Sequence, residues 1–256
     1  MTGRSIDLNA DIGEGFGAWT MGDDAGVLAF VTSANVACGF HAGDPRVIDR
    51  TVALAVKAGV AIGAHPSHYD LRGFGRRTIS ADPAEVEADV VYQVGALAAF
   101  AMSHGKALVH VKPHGALYNQ AAVDPGLARA IARGVGRVSR GLVLVGATSS
   151  EAMRKAAEAE GLRFAAEAFA DRAYETDGTL VPRGRVGAVI TDSSEAAARA
   201  VRIACEGRIA ATDGTVIPLA ADTLCLHGDT PGAVEHARAV RMALEAAGIT
   251  VRPLAF

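Results

Sequence analysis

The sequence predicts an α/β fold, a seven-stranded parallel (β/α) barrel that forms a single domain over residues 1–256. Strand-like and helix-like stretches alternate along the whole chain, which is typical of a parallel sheet. About seven such units follow one another without a separate linker, as in a closed or nearly closed barrel. Half of the 256 residues are hydrophobic and 21% are charged, so one large core can form.

Helix boundaries are marked by a capping residue before a proline and by a glycine after the last turn. The predicted helix starts are Asp44-Pro45, Asp82-Pro83, Asp124-Pro125 and Thr230-Pro231. The predicted helix ends are Gly59, Gly105, Gly161 and Gly248. Apolar or alternating stretches predict strands at residues 5–10, 31–37, 60–64, 107–111, 142–146, 163–166 and 223–226.

One segment, residues 172–218, is too long for a simple connection between two barrel elements. It predicts an insertion on the barrel, with a helix near residues 194–205 and a hairpin around Asp213-Gly214. An open doubly wound sheet is the alternative fold. The first strand lacks the G-x-G-x-x-G continuation that is typical of that fold, and this absence favours the barrel.

The composition argues against several classes of protein. The formal net charge is −3, which provides no basic surface for nucleic acid. No apolar stretch approaches the roughly 18 residues that can span a bilayer. Arg4 and Asp7 lie where a signal peptide would have its apolar segment. We therefore expect no nucleic-acid partner, no membrane association and a cytoplasmic location.

Polar and charged side chains are concentrated at the ends of the predicted strands. The C-terminal ends of parallel barrel strands meet on one face, where active sites are built. Ionisable residues after six separate strands therefore predict an active site on that face. These residues are Asp11, His41, His65, Lys112, His114, Glu167, Asp171, Arg172, His227 and Asp229.

Some of these residues also have a structural interpretation. Asp11 could cap the turn that follows it, and His65 could be a packed core histidine. Lys112 is harder to explain structurally, because a lysine that emerges from an apolar strand must be paired or desolvated. Both states suit catalysis, so Lys112 is the strongest single candidate.

Three arginines flank a glycine-containing loop after the third strand. Arg72, Arg76 and Arg77 surround Gly73-Phe74-Gly75. Such arginines can bind a carboxylate or a phosphate through two hydrogen bonds, which predicts a cofactor-binding loop, and a solvated charged loop is the alternative. The sequence has no G-x-x-x-x-G-K-[ST] motif, so any nucleotide would be bound without that loop or by another chain.

Six long motifs follow one another in order along the chain. They are Asp7-Leu-Asn-Ala-Asp-Ile-Gly-Glu-Gly-Phe-Gly17, Ser33-Ala-Asn-Val-Ala-Cys-Gly-Phe-His-Ala-Gly-Asp-Pro45, Gly73-Phe-Gly-Arg-Arg77, Val109-His-Val-Lys-Pro-His-Gly-Ala-Leu-Tyr-Asn119, Glu167-Ala-Phe-Ala-Asp-Arg-Ala-Tyr174 and His227-Gly-Asp-Thr-Pro231. Together they resemble the lactam-utilisation protein family, which provides the A subunit of the bacterial ATP-dependent 5-oxoprolinase.

The resemblance implies a fold, a reaction and partners. The implied fold is similar to the glycoside hydrolase and polysaccharide deacetylase barrel, in agreement with the strand count. The implied reaction opens the ring of a lactam, 5-oxo-L-proline (pyroglutamate), to give L-glutamate. ATP is the implied cofactor and is hydrolysed to ADP and phosphate, in a complex with subunits B and C.

This reaction assigns roles to the residues at the strand ends. A five-membered lactam is a poor electrophile, so phosphorylation of its amide oxygen would activate it for attack by water. Asp11 or His114 is expected to act as the base. Lys112 and Arg172 are expected to stabilise negative charge. Groups that orient the reactants or move protons are His41, Glu167 and Asp229.

Two other functions stay open. One is a metal-dependent deacetylase or carbohydrate hydrolase, in which Asp11, His65 and His114 would hold a divalent metal and leave a position for an activated water. The other is a non-catalytic assembly protein that shapes a partner's site. The charged residues at the strand ends argue against that role, because a scaffold does not need them.

Overall fold

The computed structural model describes residues 4–227 and 232–254, apart from the side chain of His227. Its strands are β1 (Ser5–Ile12), β2 (Ser33–Ala37), β3 (Ala61–His65), β4 (His110–Val111), β5 (Val143–Ala147), β6 (Arg163–Phe169), β7 (Arg208–Ala210), β8 (Val216–Pro218), β9 (Thr223–His227) and β10 (Thr250–Val251). Seven of them pair in parallel in the order β1-β2-β3-β4-β5-β6-β9, and β9 also pairs with β1. The predicted closed seven-stranded barrel is confirmed.

The described helices are α1 (Asp24–Leu28), α2 (Pro45–Ala58), α3 (Pro83–Ser103), α4 (Gly115–Val123), α5 (Pro125–Val138), α6 (Glu151–Ala159), α7 (Ser193–Glu206) and α8 (Ala233–Ala246). The side chains of Asp44, Asp82 and Asp124 accept hydrogen bonds from first-turn amides of α2, α3 and α5. These three helix starts are as predicted, whereas Thr230-Pro231 lies outside the described residues. None of the helices in the described part of the chain is both long and apolar enough to cross a bilayer.

Several strands differ in length from the prediction, and β4 and β6 differ most. Strand β4 was predicted over residues 107–111, but its ladder with β3 and β5 contains only His110 and Val111. Val109 still forms backbone hydrogen bonds with both neighbouring strands, because its amide donates to Ile62 and its carbonyl oxygen accepts from Val143. Strand β6 continues beyond the predicted end to Phe169, because its last three residues pair with β9.

The predicted insertion lies between β6 and β9. It contains helix α7 and the antiparallel pair of β7 and β8, whose register runs from Arg208 opposite Pro218 to Ala210 opposite Val216. The helix and the hairpin both occur where the sequence predicted them. The segment before α7 folds back on itself, since Ala173 donates its amide hydrogen to Ala188 and accepts one from Val181.

The barrel interior carries an unusual amount of polar surface. Asn9 of β1 donates from Nδ2 to Glu167 Oε1 of β6 at 3.0 Å, although these two strands are not neighbours in the sheet. Asn35 donates to Asn9 Oδ1 at 2.7 Å, and His110 Nε2 lies 2.7 Å from Asn35 Oδ1. These buried groups satisfy one another across the barrel, which offsets the cost of removing them from water.

Candidate active site

The candidate active site is a cavity of about 540 Å³ at the C-terminal ends of the barrel strands. Asp11, His65, Lys112, His114, Glu167 and Arg172 all line it, together with Tyr118 and Arg76. These side chains come from β1, β3, β6, α4 and the segments after β3, β4 and β6. Most of the polar residues that were predicted to lie on one face of the barrel therefore line one cavity.

Lys112 lies at the centre of this site, with only 3% of its surface exposed. Its Nζ is 2.9 Å from Asp11 Oδ1, 2.9 Å from Glu167 Oε1 and 3.0 Å from the Cys225 sulfur. Burial alone would lower the pKa of Lys112, but the nearby carboxylates outweigh it and hold that pKa well above its usual value. Since the ammonium group has these three partners, Lys112 acts first as the counter-ion of Asp11 and Glu167.

Glu167 is held from three sides in the barrel interior. Its Oε1 accepts from Lys112 and Asn9, and its Oε2 accepts from the Tyr118 hydroxyl at 2.8 Å. Burial, followed by the charge of Glu167, raises the pKa of Tyr118 well above its usual value, so this hydroxyl stays protonated as a donor. Tyr118 was not among the predicted site residues. The only signal for it was its place in the motif that also carries Lys112 and His114.

A second group of side chains lies beside this ionic centre. Each of its four members offers one ligand atom, and these atoms all lie within 4.8 Å of one another. His65 Nε2 is 3.0 Å from His114 Nδ1, which is 3.4 Å from Glu14 Oε1. His41 Nε2 is 3.2 Å from the same oxygen of Glu14. The group, Glu14, His41, His65 and His114, could hold a metal ion.

The ring orientations at this group favour a cation. His65 Nδ1 lies 2.7 Å from the Lys112 carbonyl oxygen, and His114 Nε2 lies 2.9 Å from the Phe74 carbonyl oxygen. A carbonyl oxygen only accepts, so each of these nitrogens carries the hydrogen. When both rings are neutral, their other nitrogens carry lone pairs that face each other beside Glu14, and histidines held by backbone carbonyls are typical of metal ligands.

Local backbone geometry brings the histidines together. Phe74, whose carbonyl holds His114, has a φ of 55°, and no other non-glycine residue in the described segments has a positive φ. A strained residue of this kind often marks a functional site. Gly75, with a φ of 63°, has no side chain, and a Cβ there would lie 2.9 Å from His114 Cδ2 and 3.0 Å from His41 Cβ.

The predicted metal triad overlaps with this group in two residues. His65 and His114 are in the group, but its carboxylate is Glu14, which sequence reasoning missed because it lies in a loop rather than at a strand end. Asp11 Oδ2 lies 3.4 Å from His65 Nε2, while Asp11 Oδ1 accepts from Lys112 and Asn35. Asp11 thus links the ionic centre to the histidine group.

His41 is fully buried and stacks on His114, with ring centroids 3.8 Å apart and planes 5° apart. Burial first, and then the neighbouring His65, lowers the pKa of His41 well below its usual value. The pKa of His114 is lowered in the same way, by burial and then by His41. Both rings are therefore neutral at pH 7, which is the state that binds metals or accepts a proton.

Of the three arginines predicted to form a cofactor-binding loop, only Arg76 lines the cavity. Its guanidinium carbon lies 4.9 Å from the centre of the Phe74 ring. Arg77 instead forms an ion pair with Asp70, and that pairing lowers the pKa of Asp70. Arg72 is exposed on the same loop and is not part of the cavity lining.

The other predicted residues occupy different places. Arg172 lines the cavity but donates from Nε and Nη2 to the carbonyl oxygens of Ala188 and Val181, at 3.2 and 2.6 Å. Asp171 is buried next to it in the chain. His227 ends β9, and its side chain is outside the described part, as is the whole of Asp229.

Taken together, the fold and the cavity define a (β/α)-barrel protein whose ionisable groups converge at the C-terminal ends of its strands, the arrangement used by barrel enzymes. The sequence profile of the LamB/YcsF family matches residues 6–256, and the chain belongs to this family.

Relatives of this chain carry the name of an enzyme component. The chain is 57% identical over 251 residues to the 5-oxoprolinase A subunit of Methylococcus capsulatus, a match that covers 98% of this chain and 96% of the relative. It is 54% identical over 246 residues to the 5-oxoprolinase A subunit of Nocardia farcinica, covering 96% of this chain and 98% of the relative.

Solved structures show the same fold. The lactam utilization protein of Thermus thermophilus is 50% identical, with a TM-score of 0.93, and the match covers 98% of this chain and all of that one. The peptidoglycan deacetylase PdaC of Bacillus subtilis is 11% identical, with a TM-score of 0.50 over 99% of this chain and 89% of that chain. The deacetylase shares the fold alone, so the predicted similarity to deacetylase barrels is confirmed at that level.

Proposed function

We propose that this chain is the A subunit of an ATP-dependent 5-oxoprolinase, which opens the ring of 5-oxo-L-proline to give L-glutamate while ATP is hydrolysed to ADP and phosphate. The observation that carries the proposal is the Asp11–Lys112–Glu167 centre in the cavity of a chain more than half identical to proteins of that name. Because ATP is a cytoplasmic reactant, the proposed location is the cytoplasm.

In the proposed reaction Asp11 orients the attacking water and takes its proton. Its Oδ1 is fixed by Lys112 and Asn35, whereas its Oδ2 faces His65 at 3.4 Å, so we assign the task to Oδ2. Lys112 places a positive charge between the carboxyl groups of Asp11 and Glu167, a stabilisation supplied before the substrate arrives. The proton that Asp11 takes from the water would pass to the departing ring nitrogen, while Tyr118 and Glu167, a donor–acceptor pair in the cavity wall, would orient the substrate.

Glu14, His41, His65 and His114 would hold a divalent transition metal, because imidazole and carboxylate donors suit such ions. When bound, the metal would supply Lewis-acid chemistry beside the cavity. Without the metal, His114 and His65 would instead serve as proton acceptors next to Asp11. This group is the observation that favours the second candidate function, a metal-dependent deacetylase or carbohydrate hydrolase.

ATP and the partner subunits belong to the same proposal. The sequence contains no phosphate-binding G-x-x-x-x-G-K-[ST] loop. We therefore assign activation of the lactam by ATP to the assembled complex with subunits B and C, with Arg76 of this chain at the cavity as a phosphate contact.

The test is reconstitution of the complex from separately purified subunits. We expect no 5-oxoproline-dependent ADP release from this chain alone, and release of equal amounts of ADP and glutamate once B and C are added. Asp11→Asn should abolish glutamate formation while the complex still forms on gel filtration. A fully active Asp11→Asn complex would identify the chain as a non-catalytic assembly protein. Release of acetate from an acetylated sugar oligomer, with no action on 5-oxoproline, would instead support the second candidate.

A further inference from the structure

The insertion contributes two guanidinium groups to the cavity wall. Arg172 comes from the segment directly after β6, and Arg183 follows a turn that also lines the cavity with Thr179 and Val181. This wall lies beside the Asp11–Lys112–Glu167 centre, which lines the same cavity. A molecule that binds in this cavity would therefore have both the ionic centre and the two arginines in the surrounding wall.

Arg172 is anchored through neutral groups only. It is buried, and its Nε and Nη2 donate to the carbonyl oxygens of Ala188 and Val181. Within residues 4–227 and 232–254, no hydrogen bond uses its Nη1 and no carboxylate forms a salt bridge with it. Two carbonyl dipoles fix the plane of the guanidinium without cancelling its charge, so its positive charge remains available to a ligand.

Arg183 lines the same cavity as Arg172 and has no partner in the described structure. It is exposed, and it makes neither a salt bridge nor a hydrogen bond with any described residue, whereas Arg185, two residues later, pairs with Glu175 at 2.7 Å. The two arginines repel each other. Burial, and then the charge of Arg183, lowers the pKa of Arg172 to about 10, although Asp171 acts in the opposite sense.

Among the residues that the structure describes, the carboxyl groups that line the cavity do not pair with Arg172 or Arg183 and so do not offset the repulsion between these two arginines. Asp11 and Glu167 both accept from Lys112, on the floor of the cavity. An anion placed between Arg172 and Arg183 would remove the repulsion between them and gain charge-assisted hydrogen bonds.

We propose that Arg172 and Arg183 form an anion subsite that binds the carboxylate of the lactam substrate, with Arg183 selecting acidic lactams over neutral ones. The proposal deepens the proposed function and takes the identity of the lactam from it. A phosphate group shares the same chemistry, and the experiment below separates the two sources.

The experiment compares Arg183→Gln with the matched control Arg185→Gln in the assembled complex. Both variants remove one exposed positive charge from the same loop, but Arg185 does not line the cavity. We expect Arg183→Gln to raise the KM for 5-oxo-L-proline at least about tenfold and to change kcat by less than about twofold. Inhibition by 2-pyrrolidinone, the same ring without the carboxylate, should be unchanged, and Arg185→Gln should behave as the wild type.

An unchanged KM for 5-oxo-L-proline in an active Arg183→Gln complex would overturn the proposal. A raised KM for ATP, or weaker inhibition by inorganic phosphate, with no change for 5-oxo-L-proline would assign the subsite to phosphate and also overturn it. If the wild-type complex opens no lactam, the proposed function fails on its own. Direct titration of the full chain with 5-oxo-L-proline then decides the subsite: weaker binding by Arg183→Gln supports it, and equal binding overturns it.

Discussion

The Nε2 atom of His65 lies 3.0 Å from the Nδ1 atom of His114, and the opposite nitrogen of each ring faces a backbone carbonyl oxygen. Two neutral histidines in this orientation bring two lone pairs together, which is unfavourable unless a cation lies between them. Glu14 adds a negative charge at 3.4 Å from His114 Nδ1. This arrangement of two ring nitrogens and a carboxylate oxygen is therefore more favourable with a metal ion bound than without one.

Metal binding is the first prediction that follows from this pair. The full chain incubated with Co²⁺ or Zn²⁺ and then dialysed should retain about one ion per chain, because three imidazoles and a carboxylate form a complete transition-metal ligand set. His114→Ala should weaken the affinity by at least about tenfold, measured by competition with a chelator and by the visible absorption of Co²⁺.

The controls separate this ligand set from the triad predicted by sequence. His104→Ala should leave metal binding unchanged, because His104 caps the end of α3, pairs with Asp49 of α2 and is not a member of the ligand group. Glu14→Gln should weaken binding more than Asp11→Asn does, since Asp11 is already the partner of Lys112. Equal metal content in wild type and His114→Ala would contradict the assignment.

A second prediction concerns Lys112, which holds two carboxylates that are themselves largely buried. Lys112→Met keeps most of the apolar stem but leaves Asp11 and Glu167 without their shared cation. Breaking a buried pair of this kind costs about 3 to 5 kcal/mol of unfolding free energy, and turnover of the assembled complex should fall at least about a hundredfold. The sequence indicated Lys112 as the strongest single candidate, and its contacts add the expected loss of stability.

Chemical denaturation and turnover of the variants check this prediction. Adding Glu167→Gln to Lys112→Met should recover part of the lost stability, because the double variant removes one of the two unpaired charges. Lys155→Met is the control, since Lys155 pairs with Glu151 on the surface of α6 and such exposed pairs contribute about 1 kcal/mol or less. A stable Lys112→Met protein in a complex that keeps more than about a third of the wild-type rate would show that Lys112 is neither a structural nor a catalytic counter-ion.

The fold was predictable because its signals are local. Asp44, Asp82 and Asp124 each precede a proline, and a capping residue acts on amides only two or three positions away. The period of the apolar residues then assigns the strands, and parallel strands must bring their C-terminal ends to one face. This reasoning also predicted which face carries Asp11, Lys112 and Glu167.

The partners within the site were not predictable in the same way. Lys112 meets Asp11 and Cys225 across 101 and 113 residues of sequence, and neither contact follows from a local pattern. Glu14 lies in the histidine group because of the conformation of the loop that carries it. Arg77 forms an ion pair with Asp70, which no local pattern in the sequence indicates. Arg183 carried no sequence signal, since an arginine in a polar insertion is usually solvated.

The last prediction tests whether the missing side chain at Gly75 is what allows the histidines to approach. Gly75 and Gly17 both have positive φ values, 63° and 58°, so an alanine at either position incurs a similar backbone strain of about 1 to 2 kcal/mol. Their surroundings differ. A Cβ at Gly75 would collide with Ser67 Oγ and lie 2.9 Å from His114 Cδ2, whereas a Cβ at Gly17 would meet nothing within 4 Å.

Gly17→Ala is therefore the matched control for Gly75→Ala. We expect Gly75→Ala to lose about 1 to 3 kcal/mol more unfolding free energy than Gly17→Ala, because the added methyl group must displace packed side chains. Its affinity for Co²⁺ should also fall, since His114 and His41 are the groups that move, while Gly17→Ala should bind Co²⁺ as the wild type does. Equal unfolding free energies and equal Co²⁺ affinities for the two variants would mean that the histidine group does not depend on the close approach at Gly75.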